Sequence, residues 1–172
     1  MSARSALRSA TAKNHVMVDA AFGRFDLADR GSYGSFLTAH ARALPAVEKA
    51  LEHVPALPAF GVRADLLRQD LNQLGLPMPA PLPFPVPLSQ AAGFGALYVS
   101  EGSRLGGAML ARQVHPELPH TYLSATHEAG DWRAFGRLLD SAALAGGRSW
   151  LDDAIRSARA TFDLYAEAAS TA

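Results

Sequence analysis

Gly93-Phe94-Gly95-Ala96-Leu97-Tyr98-Val99-Ser100-Glu101-Gly102-Ser103-Arg104-Leu105-Gly106-Gly107 is the stretch on which the fold turns. It reads as the middle of a helix. No proline falls between Ser89 and His115, Ser89 has the short oxygen-bearing side chain of an N-cap, and Leu97, Glu101, Leu105 and Met109 recur at helical spacing. Yet the stretch holds five glycines, and each costs a helix interior about 1 kcal/mol relative to alanine. Only something glycine alone permits, a close approach to the backbone or a local bend, offsets several such costs. Gly102 and Gly106 are four residues apart, so they lie one above the other and make a strip without side chains. Two readings stand: another helix packs on the strip, as in small-xxx-small contacts, or a large planar ligand lies on it. A membrane span is excluded, because Glu101 and Arg104 interrupt the run and no apolar stretch reaches about 18 residues.

Upstream, residues 76–88 carry a proline at every second position from Pro77 to Pro87, which neither a helix nor a central strand tolerates. The apolar residues between the prolines predict a spacer that packs along the surface and joins two halves of one helical domain. Before it, residues 62–74 predict a short helix with Leu66, Leu67, Leu71 and Leu74 inward, stopped by Gly75. Residues 32–53 predict a longer helix opened by Ser32, with Tyr33, Phe36, Leu37, His40, Leu44, Val47 and Leu51 on its apolar face and Pro45 as a kink or break. His40 and His53 are given no role. Residues 3–22 predict the first helix, whose inward stripe is Leu7, Thr11, His15, Val18 and Phe22. A histidine so placed serves as a ligand or as a core-edge residue bonded to a backbone carbonyl.

Downstream, His115-Pro116-Glu117-Leu118-Pro119-His120 reads as a loop without the spacing of a zinc site. Asp131 reads as an N-cap, followed by the apolar stripe Trp132, Phe135, Leu138 and Leu139. Arg133 and Arg137 share a different face of that helix, either solvated or set to hold an anion between them. Gly146-Gly147 breaks the pattern, and a last helix runs from Ser149 to about Ala169 with Trp150, Leu151, Ala154, Ile155, Ala158, Phe162 and Tyr165 inward. No segment alternates with period two, so the expected fold is all-α: one helical domain over residues 1–172.

Composition narrows the chemistry. The 172 residues balance 16 basic against 16 acidic side chains, which leaves no footprint for nucleic acid and no polybasic membrane anchor. There is no cysteine, which excludes disulfides, thiolate metal sites and a cysteine nucleophile. The N-terminus leads into an amphipathic pattern rather than an apolar core, so the chain reads as cytoplasmic, without a signal peptide. The histidines are then the candidates for metal binding.

An inward histidine, a flat glycine strip and paired arginines together suit a haem: iron on the histidine, porphyrin on the glycine backbone, propionates on the arginines. The segment Leu7-Arg8-Ser9-Ala10-Thr11-Ala12-Lys13-Asn14-His15 resembles the proximal helix of haem oxygenases, and Tyr98-Val99-Ser100-Glu101-Gly102-Ser103-Arg104-Leu105-Gly106-Gly107 is similar to their distal helix. The form E-G-S-x-L-G-G resembles a bacterial subgroup found beside bacteriophytochromes. Trp132 to Arg137 and the final helix through Phe162 are similar, less specifically, to the parts that face the propionates and close the pocket.

The resemblance implies His15 as the iron ligand and Gly102, Ser103 and Gly106 at the distal face. It places Arg8, Thr11, Tyr98, Val99, Gly107, Arg133, Arg137 and Phe162 around the ring. It further implies oxidative opening of haem to biliverdin, CO and iron, with O2 and with electrons from an external reductase; a bilin-accepting photoreceptor is a further implied partner. One departure stands out. Many haem oxygenases carry aspartate after the first distal glycine, where it organises proton-delivering water; this chain has Ser103, which holds water but does not ionise. A haem or biliverdin carrier of the same fold, and a helical domain whose glycines serve packing alone, are the alternatives.

Overall fold

Ser89 caps the glycine-rich helix as its sequence requires: its side chain accepts a hydrogen bond from the Ala92 backbone at 3.1 Å. In the computed structural model, which describes residues 1–84 and 89–172, this helix is the fourth of six. In chain order they are α1 (Ala3–Gly23), α2 (Arg30–Leu51), α3 (Ala64–Gln73), α4 (Gln90–Ala111), α5 (Thr121–Ser124) and α6 (Asp131–Ser170). Among the described residues there is no strand, and the all-α expectation holds.

The spine is α6, which bends at Gly147, where φ is 71° and ψ is −162°. A positive φ of this kind is cheap for glycine and strained for any side chain. The bend gives α6 two halves with different clients. Its first half receives the start of α1, since the Asp140 carboxylate accepts from the Ala3 backbone at 2.7 Å and so supplies an anionic cap to α1. Its second half takes the start of α4, with Ser157 Oγ donating to the Ala92 carbonyl at 2.7 Å, and the later turns of α1, where Asn14 Nδ2 donates to Asp163 at 2.8 Å. Thus α1 and α4 each pack extensively on α6 but make little direct contact with each other. The apolar core fills the remaining angle, with Tyr33, Phe36, Leu37 and Leu44 of α2, Leu67 and Leu71 of α3, and Leu97 of α4 fully or almost fully buried.

Several boundaries differ from the sequence expectation, each for a local reason. Helix α2 begins two residues early because Asp29, not Ser32, is its cap and accepts from the Ser32 backbone at 2.8 Å. The helix continues through Pro45; a proline costs one helical hydrogen bond, and the full burial of Leu44 and Val47 beside it holds the course. Helix α6 is capped by Gly130 at φ 98°, while Asp131 is its first helical residue. The short α5 was not expected; its Thr121 and Tyr122 backbone N–H groups are held by the buried Asp70 carboxylate at 3.2 and 2.8 Å. The proline-rich segment packs Leu76, Met78, Leu82 and Phe84 on the core. Leu82 also donates its N–H to the Arg42 carbonyl of α2 at 2.8 Å. Residues 85–88 of the expected 76–88 spacer lie outside the described residues.

Candidate active site

The five glycines of α4 fall into two sets. A Cβ at Gly93 would meet Val54 and Leu57 at 2.7–2.9 Å, one at Gly95 would strike the Ala154 carbonyl of α6, and one at Gly107 would come to 2.6 Å from the Leu123 carbonyl. All three are packing glycines: at Gly95 and Gly107 a side chain would push backbones apart, and at Gly93 it would displace the Val54 and Leu57 side chains. Gly107, expected beside the ring, is corrected by this: it is buried against α5 and does not join the open strip. At Gly102 a Cβ would make only ordinary contact with Trp132, at 3.4 Å, and at Gly106 it would meet nothing within 4 Å. The strip that remains is Gly102 and Gly106.

On α1, Leu7 and Thr11 are buried as the stripe predicts, but His15 is not inward: its side chain is 61% exposed. It sits at the edge of the stripe, edge-on to the buried Phe162 of α6, with ring centroids 5.6 Å apart. Nor does it bond a backbone carbonyl. Its Nδ1 pairs with Asp19 Oδ2 at 3.1 Å, one turn on. A carboxylate on Nδ1 fixes the ring's orientation and leaves Nε2 to accept or ligate, which is the usual outer support of a metal-binding histidine.

Between these helices, Tyr98 of α4 lies beside the Thr11 hydroxyl and within electrostatic reach of Arg8 and Arg4. Burial pushes the Tyr98 phenol up; the two guanidinium groups and Thr11 pull the other way. The Arg4 guanidinium lies over Gly136 of α6, 3.1 Å from where a Cβ would stand there, so the basic group of α1 adjoins the turn that carries Arg137. Arg8, Arg133 and Arg137 are exposed and make no hydrogen bond or ion pair among the described residues. Val99 is 6% exposed and belongs to the core.

Beside the strip is a polar group that sequence reasoning missed, running from the exposed Ser103 to the buried Ser100 and Arg63. Ser103 Oγ donates to the Ser100 carbonyl at 2.7 Å and accepts from Arg63 Nη2 at 3.2 Å; the same Arg63 nitrogen donates to the Ser100 carbonyl at 2.7 Å. Arg63 is 4% exposed, its backbone N–H donates to the Glu48 carboxylate at 2.7 Å, and its guanidinium lies 5.3 Å over the Tyr122 ring. Burial raises the Glu48 pKa, against the hydrogen bonds from Arg63 and Ala64 and the nearby cations. The Tyr122 hydroxyl pairs with His40 Nδ1 at 2.9 Å. Burial, then the charge of Arg63, lowers the His40 pKa to about 3, so this ring is neutral. The Tyr165 hydroxyl is buried close by and has no partner among the described residues. A lone arginine in a loop gives no periodic signal, which is why Arg63 escaped; Asp19, four residues after His15, was legible as an i,i+4 pair.

No family model matches the chain. It is, however, 35% identical over 146 residues to a protein described as "Heme oxygenase" from Xanthomonas campestris pv. campestris (strain 8004), an alignment covering 78% of this chain and 86% of that one. The chain belongs to the haem oxygenase family. The fold agrees: the crystal structure of the NO- and CO-bound haem oxygenase of Neisseria meningitidis superposes with a TM-score of 0.79, at 25% identity, covering 99% of this chain and 92% of that one.

The residues present fit a haem oxygenase's ligand. A histidine with a carboxylate-supported Nδ1 stands on one helix, a side-chain-free strip on another, arginines without carboxylate partners nearby, and α6 keeps the two helices apart.

Proposed function

We propose that this chain opens haem oxidatively to biliverdin, CO and ferrous iron, using O2 and electrons from a separate reductase. The observation that carries the reading is the pairing of an Asp19-supported His15 on α1 with the open Gly102–Gly106 strip on α4. Haem is substrate and cofactor at once: it supplies the iron and the ring that is oxidised. His15 Nε2 would hold the haem iron, with Asp19 holding the tautomer. A neutral imidazole such as that of His15 would push less electron density onto the iron than a thiolate does. Gly102 and Gly106 let the backbone of α4 lie against the ring where any side chain would intervene. Phe162 closes the pocket beside His15, and Thr11 and Tyr98 border it. Arg8, Arg133 and Arg137 anchor the propionates by charge-assisted hydrogen bonds, and Val99, on the same face one turn before Gly102, borders the strip.

Ser103 takes the place of the acidic residue common in the family, and its surroundings support a different arrangement. Its proton goes to the Ser100 carbonyl, so Ser103 is committed as an acceptor toward Arg63. Arg63 is held by Ser100 and Ser103, and proton delivery relies on ordered water rather than a carboxylic acid. The E-G-S-x-L-G-G motif supports membership of the bacteriophytochrome-associated subgroup. A photoreceptor that accepts the bilin is the corresponding partner, and the cytoplasm the corresponding compartment. No helix among the described residues is long and apolar enough to cross a membrane.

The test has two steps. Hemin added to the apo-protein should give a sharp Soret band with a histidine-ligated spectrum. Reductase and O2 should then remove that band and raise far-red bilin absorption. A stable Soret band in the second step would favour the carrier reading that Ser103 motivates; no complex in the first would overturn haem binding altogether.

A further inference from the structure

The rear of α4 is held in a way that apolar packing does not explain. Glu101, Arg104 and His127 form a group there with side chains only 13, 10 and 9% exposed. Arg104 Nε lies 3.2 Å from Glu101 Oε2. Its two other nitrogens reach outward in different directions, Nη2 donating to the Gly61 carbonyl at 2.8 Å and Nη1 to the Ala125 carbonyl at 3.3 Å. His127 Nε2 donates to the Glu101 carbonyl at 2.8 Å and stands 3.7 Å from Glu101 Oε2. The His127 ring is also 5.9 Å from that of Trp132, the residue that touches the Gly102 position from the side. A cavity of about 380 Å³ lined by Phe60, Leu97 and Phe135 opens at this place, so close packing does not fill this side of the helix. Gly61 is matched to the arrangement: a Cβ there would collide with the Arg104 guanidinium.

The segment these contacts hold is the one that carries the strip. With Gly102, Gly106 and Gly107 within six residues, its backbone has little rigidity of its own. Two buried side chains tie it to the 61 and 125 loops, which lie on neither α1 nor α6. We propose that Arg104 and His127 are positioning residues: from behind α4 they set how far Gly102 and Gly106 stand from the distal face of the haem. The proposal rests on the haem reading above. Neither residue touches the ligand; each acts through the backbone of α4, and a strip displaced by a fraction of an ångström presents a different edge of the ring.

The experiment uses the full chain and four variants. His127→Leu and Arg104→Met remove the ties, His127→Gln keeps a donor near the Nε2 position, and Gly61→Ala pushes Arg104 away without altering it. In the apo-protein, amide exchange over residues 101–108 should quicken about tenfold in the first two and in Gly61→Ala, the effect of losing one buried hydrogen bond on local opening. Exchange in α1 and the second half of α6 should be unchanged, and His127→Gln should restore the wild-type rate. In single turnover with hemin, the fast-exchanging variants should bind haem with wild-type affinity but give a different ratio of biliverdin isomers. Unchanged exchange, or faster exchange with an unchanged isomer ratio, overturns the positioning role while leaving the haem reading intact. A wild-type chain that binds no haem overturns both.

Discussion

Gly95 and Gly102 are seven residues apart, two turns of one helix, and so lie on nearly the same face of α4. At Gly95 that face is pressed so hard on α6 that a Cβ would overlap the Ala154 carbonyl; at Gly102 it meets only the edge of Trp132, and one turn on, at Gly106, it is open. The direction of the side chain is therefore not what separates the packed half of α4 from the open half. The course of α6 is. Its second half runs under the start of α4; from the half before the bend at Gly147, Phe135 stacks on Phe94 and Trp132 reaches across only as far as Tyr98 and the Gly102 position. Helix packing and ligand surface, rival explanations for a glycine-rich helix, are both in force at opposite ends of it.

The largest effect should come from filling the packed end. Gly95→Ala places a methyl group between two backbones, and overpacking of this kind costs about 1–3 kcal/mol. That outweighs the gain of about 1 kcal/mol in helix propensity. Thermal unfolding of the apo-protein should show a melting temperature several degrees lower, at about 2–4 °C per kcal/mol for a chain of this size. An unchanged melting temperature would dissolve the distinction between the two halves.

A second break in the comparison uses acid, because the interior behind α4 is sealed where the cleft is open. The folded-state pKa of His40 is lowered from 6.5 to about 3 by burial and by Arg63. A depressed histidine contributes stability that is fully present above 6.5 and lost as pH falls toward 3, since the unfolded chain takes up the proton first. The slope is at most about 1.4 kcal/mol per pH unit. Glu48, whose pKa is raised by burial, works in the opposite direction at the acid end. Urea unfolding between pH 7 and 5 should show falling stability in the wild type and a flatter profile in His40→Phe.

How much of this was legible beforehand follows from the same geometry. Helix identity, the Ser89 cap, the break at Gly147 and the faces of α1 and α4 are local and periodic, and the chain states them. The placing of His15 at the rim of its stripe is not local: it depends on where α6 stops covering α1, and 3.6-residue spacing assigns a face without saying how far the neighbour extends. Gly107, placed around the ring by the resemblance alone, is turned about 100° from Gly106 and packs against α5. Arg63 and His127 sit in or beside loops, where no period marks them, and only the fold brings them to Ser103 and Glu101.

Smaller effects should sharpen the open side. Arg133→Ala and Arg137→Ala remove exposed side chains, so apo-stability should stay within about 0.5 kcal/mol. Haem affinity should fall by up to about tenfold for each, measured by hemin titration, with a shifted biliverdin isomer ratio. The smallest change in stability belongs to Gly106→Ala. Its methyl group meets nothing within 4 Å, so apo-stability should be equal or higher by up to about 1 kcal/mol. Haem breakdown in single turnover should nonetheless slow or divert to peroxidase-like products.

The most direct measurement of the central claim is hemin titration of Gly106→Leu beside the thermal unfolding of the same apo-protein. If Gly102 and Gly106 are where the ring lies, the apo-protein should melt within a few degrees of the wild type, because the leucine enters open space. The same sample should fail to form the histidine-ligated Soret complex, or form it with haem displaced. A Gly106→Leu protein that takes up hemin with wild-type affinity and breaks it down at the wild-type rate would contradict the account.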